Sequence, residues 1–305
     1  MPMTFKLQNS VNSYIHLKNE KDISLFVKRE DAIHPVISGN KYRKLKYNIE
    51  EAKAQGKSKL LTYGGAFSNH IAAVAEVGRI YNFKTFGVIR GEELSSKIND
   101  NVTLKYAQDC GMQFKFISRI DFRNKKDKNF INALKKQFGD FYSIPEGGTN
   151  ALAVRGCEEI LTEADIGFDY ICASVGTGGT LAGLINCLKP GQQVLGFSAL
   201  KGDFLKEDIS KFAKQDNWRL ISDYHFGGYA KINKELIAFI NQFKSNYAIQ
   251  LDPIYTGKML FGILDMINKN YFPKGSKILA IHTGGIQGIA GMNDRLKRKN
   301  LLLIQ

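Results

Sequence analysis

The sequence predicts an α/β fold in which parallel-rich sheets are flanked by helices. Three observations carry that expectation. Short apolar, strand-like stretches alternate with helical ones along almost the whole chain. Hairpin signals are few, and no internal repeat or low-complexity linker breaks the order. "ISLFVKR" (23–29) reads as the first strand. A helix starts after the turn signal Ser38-Gly39-Asn40, and Leu45, Ile49 and Ala52 recur behind it at helical spacing. Next come strand "KLLTYG" (59–64), helix 69–81, strand "KTFGVIRG" (84–91), a helix near 99–110 and strand "MQFKFIS" (112–118). The basic stretch at 118–137 contains acids as well and reads as a loop leading into a solvated helix. Beyond "FYSIPEGGTN" (141–150) a helix is expected over 151–164, then strand "DYICASV" (169–175). Further units lie at 180–188, 193–199 and 231–244, and the order ends with helix 257–269, strand "KILAIH" (277–282) and a last helix. The Pro-Gly-rich stretch near 150 and the helix holding Lys41 are the best boundaries. They would set a smaller α/β lobe, 44–150, into a larger one made of 1–43 and 151–305.

Composition narrows the class. With 44% hydrophobic and 24% charged residues in 305, the chain has ample core-forming material for one large or two ordinary domains. The net charge of +14 is spread along the chain rather than gathered in a tail, which favours anionic small molecules over nucleic acid. The four cysteines form no CxxC pair, so they read as reduced thiols, with no disulfide or zinc framework. No apolar run approaches membrane-spanning length and the first ten residues hold no apolar leader core, so a cytoplasmic protein is expected.

Three strand-to-helix junctions carry the chemistry. In "VGTGGTLAGL" an apolar strand runs into Gly176-Thr177-Gly178-Gly179-Thr180 and a helix begins at once. Exposed N–H groups, a helix N-terminus and two hydroxyls make an anion site there, with phosphate the natural occupant. Leu181 stands where a dinucleotide fingerprint needs its third glycine, and no GK[ST] follows; the glycines could still serve a tight turn alone. "YGGAFSNH" (63–70) has the same grammar. Ser68 and Asn69 are ordinary helix caps, but Gly64-Gly65 also lets a carboxylate approach, and a lone histidine such as His70 is more often structural. "IHTGG" and "PIYTGK" add Thr283, Tyr255 and Thr256 at further strand or helix ends, where open α/β sheets gather ligands. These groups position a substrate but supply no strong electrophile, and no His/Cys/Asp cluster suggests a metal. A phosphate-bearing cofactor would supply one, and a lysine Schiff base is how proteins tether pyridoxal phosphate; Lys41, at a helix start, is placed for chemistry.

Taken in order, "KREDAIHPVISGNKYRKLKY", "YGGAFSNH", "PEGGTN", "VGTGGTLAGL", "FGGYA", "PIYTGK" and "IHTGG" closely resemble the pyridoxal-phosphate enzymes comprising 1-aminocyclopropane-1-carboxylate (ACC) deaminase and D-cysteine desulfhydrase. The resemblance spans most of the chain. It implies the tryptophan-synthase-β-like fold (fold type II of these enzymes), two domains with the cofactor between them, and a homodimer. It also implies that Lys41 carries the cofactor as a Schiff base, with Lys44 beside the phosphate and Gly176, Thr177, Gly178, Gly179 and Thr180 as the phosphate cup. Asn69 would meet the phenolic oxygen and Thr283 the pyridine nitrogen. Ser68, Asn69 and His70 would grip the substrate carboxylate, Thr256 would lie on the substrate side, and Tyr229 and Tyr255 would be active-site tyrosines. His70 and Thr256 stand where ACC deaminases typically have Gln and Glu, as in D-cysteine desulfhydrases. Phe67 replaces a common Gln, and Ile71-Ala72 stand where a basic residue often follows. The expected function is therefore β-elimination from a cysteine-like amino acid. ACC deamination is the alternative, and a non-catalytic ligand- or nucleic-acid-binding protein the alternative of another class.

Overall fold

The computed structural model describes residues 5–202 and 205–305. The apolar runs that read as strands are strands because they are buried on both faces, as parallel sheets require. The larger sheet holds β1 (Asn12–Ile15), β2 (Ser24–Lys28), β7 (Tyr170–Val175), β8 (Gln193–Ser198), β9 (Trp218–Ile221) and β10 (Lys277–Ile281). Its order is β1-β2-β10-β7-β8-β9, and every pairing is parallel except the edge pair β1–β2. Strands β3 (Lys59–Gly64), β4 (Lys84–Arg90), β5 (Gln113–Ile117) and β6 (Tyr142–Ser143) form a second, wholly parallel sheet in the order β5-β4-β3-β6.

Helices cover both faces of each sheet. On the larger sheet, α9 (Lys234–Tyr247) and α10 (Thr256–Asn268) bury Leu236, Ile240 and Ile263 on one side. On the other, α7 (Gly179–Asn186) and α8 (Leu205–Ser210) bury Leu184 and Ile209. On the smaller sheet, α1 (Asn40–Ala54), α2 (Asn69–Tyr81) and α3 (Val102–Asp109) contribute Leu45, Ile49, Val74 and Leu104 to one core. The short α4 (Arg119–Arg123) and α5 (Lys128–Phe138) close the opposite face with Phe122 and Leu134. The remaining helices are α6 (Ala151–Glu158) and α11 (Gly288–Lys297).

Helix α1 links the two sheets. Its apolar stripe, Leu45, Ile49 and Ala52, lies in the smaller sheet's core, and full burial of each large side chain stabilises by about 1.5–3 kcal/mol. Its N-terminus abuts the end of β10. Gly39 has φ 56°, and a Cβ there would lie 2.2 Å from the Thr283 carbonyl, so only glycine lets the two segments meet. The structure differs from expectation in several places, α8 and β6 among them. The helix after 150 stops at Glu158, six residues early, and a short 3-10 turn, Glu163–Asp165, follows. An antiparallel edge strand occupies residues 12–15, and β9 lies in a stretch assigned no element.

Candidate active site

Lys41 sits in the first turn of α1, where the packing of Leu45 and Ile49 holds it. Its Nζ donates to Asn40 Oδ1 at 2.8 Å, and Asn40 Nδ2 donates in turn to Thr180 Oγ1 at 2.8 Å. Asn40 thus orients the lysine and ties it to the glycine loop after β7. Burial, with the neighbouring Lys44 ammonium adding repulsion, pulls the Lys41 amine down to about 7. A large fraction is then a neutral, nucleophilic amine near neutral pH.

Lys44 lies one turn on, 3% exposed, and reaches Gly147 O at 3.0 Å, Thr149 Oγ1 at 3.1 Å and Thr177 Oγ1 at 3.4 Å. Thr149 and Thr177 share a hydrogen bond of 2.6 Å. Burial lowers the Lys44 pKa. The Gly176–Thr180 loop bends through Gly178 at φ 80°, a conformation that favours glycine, and delivers α7 with its N-terminus toward this cation. Lysine ammonium, two threonine hydroxyls and a helix N-terminus converge here, which is the donor set of a phosphate site. Thr149 belongs to that set although sequence reasoning assigned it no role.

The second loop follows β3. Ser68 caps α2, its Oγ accepting from Ile71 N at 3.3 Å, and its O–H remains as a donor. Asn69 Oδ1 is buried without a partner, and so is Ser38 Oγ beside Gly284. A buried amide oxygen and hydroxyl left unpaired are costly, and a polar ligand at this place would satisfy them.

Two of the expected site side chains make buried contacts within the protein. His70 is 2% exposed and its Nε2 lies 2.9 Å from Thr62 Oγ1, which itself donates to Ile144 O at 2.9 Å. Thr62, donating to Ile144 O, can accept from Nε2–H, and the Pro145 carbonyl is a further hydrogen-bond neighbour of the ring. Burial, with Lys41 and Lys44 adding to it, holds its pKa well below 6.5, so the ring stays neutral. Thr256 is wholly buried and its hydroxyl donates to Asp252 Oδ2 at 2.7 Å, so it faces a carboxyl group rather than a substrate.

Thr283, at the end of β10, is 7% exposed and lies 3.3 Å from Ser174 Oγ at the end of β7. Tyr255 precedes α10, and a Cβ at Gly176 would lie 3.2 Å from its hydroxyl, which sets this ring against the phosphate-type loop. Tyr229 meets it edge to face, ring centroids 6.3 Å apart. Burial raises the pKa of both phenols, Tyr255 well above 10, so both remain proton donors at neutral pH. The structure thus gathers Lys41, Lys44, Thr177, Thr180, Tyr255, Tyr229 and Thr283 with the Ser68–Asn69 loop around the ends of β3, β7 and β10.

These residues fit pyridoxal phosphate: a lysine amine partly neutral near pH 7, a phosphate-type cup, and the unpaired buried Asn69 Oδ1 and Ser38 Oγ. The sequence profile described as pyridoxal-phosphate dependent enzyme matches residues 11–284. The chain belongs to this family. Within it, a putative ACC deaminase of Pyrococcus horikoshii is 30% identical, covering 92% of this chain and 90% of its own length. A mitochondrial bifunctional D-cysteine desulfhydrase/ACC deaminase of Arabidopsis thaliana is 31% identical over 89% of this chain and 75% of its own length. The crystal structure of an ACC deaminase homologue superimposes with a TM-score of 0.81 at 27% identity, covering 95% of this chain and 93% of that one. The chain is thus a pyridoxal-phosphate-dependent enzyme of the ACC deaminase/D-cysteine desulfhydrase group. Among the described residues no cluster of His, Cys, Asp and Glu could hold a metal, and no helix is long and apolar enough to cross a membrane.

Proposed function

We propose that this enzyme eliminates the β-thiol and the amine of D-cysteine, consuming one water and releasing pyruvate, sulfide and ammonia. The observation that carries the reading is the pair Ser174–Thr283. The resemblance puts Thr283 at the pyridine nitrogen, and Ser174 Oγ at the end of β7 lies 3.3 Å from its hydroxyl. The buried carboxyl nearby, Asp252, has both oxygens taken by Ile254 N, Tyr255 N, Thr256 N and Thr256 Oγ1 at 2.7–2.9 Å. When bound, pyridoxal phosphate supplies an electron sink for charge at the substrate's Cα. Neutral hydroxyls stabilise a pyridinium less than a free carboxylate would, so the sink is modest. A modest sink suffices for a substrate with an acidic Cα–H and a thiolate leaving group. ACC has no Cα hydrogen, and opening its ring demands more.

In this reading Lys41 is the base. Its amine, near 7 when free, would take the proton from the Cα of a substrate held beside it. Ser68 O–H and the first N–H groups of α2 hold the substrate carboxylate and fix the Cα–H direction. Lys44, Thr149, Thr177 and the α7 N-terminus would hold the phosphate, and the Asn69 side-chain N–H would serve the phenolic oxygen. Tyr255 and Tyr229, both protonated at neutral pH, stand near enough to the loop to give a proton to the departing sulfur. The test is kcat/KM for D-cysteine and for ACC on one preparation. D-cysteine is expected to be far the better substrate; ACC as the better one would overturn the argument.

A further inference from the structure

We infer that Lys258 is a positioning residue for Tyr229, fastening the loop that carries this tyrosine to the helix that carries Tyr255. Because it concerns Tyr229, the inference rests on the active-site reading above. Lys258 is 2% exposed, among the largest fully buried side chains, and its Nζ donates to His225 O at 2.8 Å and Gly228 O at 2.9 Å. Burying an ammonium is costly, and two backbone carbonyls are the partners that offset it here. Burial lowers its pKa to about 8, and either protonation state keeps two N–H donors for these carbonyls.

The same two carbonyls close the turn before Tyr229 and the turn that contains it. His225 O accepts from Gly228 N at 3.0 Å, and Gly228 O accepts from Lys231 N at 3.2 Å. Between them the backbone is unusual: Phe226, Gly227, Gly228 and Ala230 have φ 53°, 91°, 111° and 54°. Two of these are not glycine, and positive φ for such residues persists only where surroundings enforce it.

Helix α10 supplies the enforcement along one face. Lys258, Phe261, Gly262 and Asp265 are spaced as neighbours on a helix. Phe261 meets Phe226 edge to face at 5.1 Å, Gly262 lies under the Tyr224 ring, and Asp265 Oδ2 accepts from Tyr224 O–H at 2.7 Å. Those three grip the front of the loop. Lys258 grips the half next to Tyr229, with Arg295 Nη1 reaching Ala230 O at 3.2 Å from α11 on the other side. Because α10 begins right after Tyr255, a loop pinned to Lys258 holds Tyr229 in fixed relation to Tyr255.

The experiment compares Lys258→Met and the milder Lys258→Gln with the unaltered holoenzyme by hydrogen exchange and steady-state kinetics. In Lys258→Met, amides of 225–231 should exchange at least about tenfold faster, while β7 and β8 keep their protection. Turnover of D-cysteine should fall about tenfold in kcat with KM nearly unchanged, and Lys258→Gln, keeping N–H donors on a shorter arm, should fall between. In a Tyr229→Phe background, Lys258→Met should cost less than about twofold more, since both act through one group. Unchanged exchange at 225–231, or losses that multiply in the double variant, would overturn the assignment. Hydrogen exchange needs no substrate, so it judges the clamp even if D-cysteine proves not to be turned over.

Discussion

Lys41 and Lys44 lie one helical turn apart, and their repulsion gives a prediction that can be read as a pH midpoint. Burial and Lys44 together bring the Lys41 amine to about 7. An ordinary lysine at pH 7 is neutral in only about one molecule in 10³, so Lys41 has a reactive fraction about 10³ larger. The folded pKa lies below the unfolded one, so unfolded chains bind more protons between pH 7 and the ordinary lysine range. Lys41 therefore costs the protein stability below pH 7, and that cost fades as pH rises through the window. The assay mixes cofactor-free protein with pyridoxal phosphate from pH 5.5 to 9.5 and follows the visible band. Its rate should rise through a midpoint near 7, and borohydride should fix the cofactor to the peptide holding Lys41. Replacing Lys44 by Met removes the second cause of the shift, so the midpoint should move up. The same change deletes a charge-assisted contact to the phosphate, worth about 1.5–3 kcal/mol, so cofactor retention should weaken at least about tenfold. Lys46 is no rival, because Glu159 holds it at 2.8 Å and raises its pKa despite some burial. Lys258 is a fairer one, being lowered to about 8. A midpoint near 10, or attachment at Lys44, Lys46 or Lys258, would refute the reasoning.

Two further outcomes are expected. Ser68→Ala should lower kcat/KM while leaving the bound-cofactor spectrum largely intact; loss of about 1 kcal/mol in thermal unfolding with unchanged kinetics would mean that Ser68 is only a cap. Thr177→Val should weaken cofactor retention about tenfold or more in a spectrophotometric titration, since the hydroxyl sits between Lys44 and Thr149. Adding Thr180→Val should also slow capture by Lys41, because Asn40 then loses its acceptor. Unchanged affinity in the double variant would place the phosphate elsewhere.

The sheets were largely legible because their strands are buried on both faces and so read as unbroken apolar runs, as in "YICASV" and "KILAI". The edge strands β1 and β9 were not, although the edge strand β5 was. Asn12–Ile15 buries only Ile15 and pairs antiparallel, so it shows neither an apolar run nor a clean alternation. Helix α1 was legible twice over, from its turn signal and from its periodic stripe. In the site, residues next to a glycine turn announced themselves, and residues whose partners are remote in sequence did not. Asn40 read as a helix-start signal, yet its partner Thr180 lies 140 residues away. Thr149 and Lys44 are 105 apart, and Lys258 is 30 from Gly228. Nothing in a linear pattern marks such pairs.

Asp252 shows how a contact outside the motif changes the meaning of a motif residue. Taken alone, Thr256 stands for a neutral hydroxyl turned toward the substrate side. In the fold, the hydroxyl turns inward and completes a ring of donors on a buried carboxyl group. Two N–H groups serve Oδ1, and Thr256 serves Oδ2 through both its N–H and its O–H. Four donors occupy about all the lone-pair sites that a carboxylate has. Asp252 thus holds the entry to α10 and the Tyr255 backbone, and it has nothing left to offer a ring nitrogen. The electronic argument for a good leaving group therefore survives the discovery of a carboxyl group close by. It survives because Thr256 occupies that group, a part its position in "PIYTGK" does not disclose.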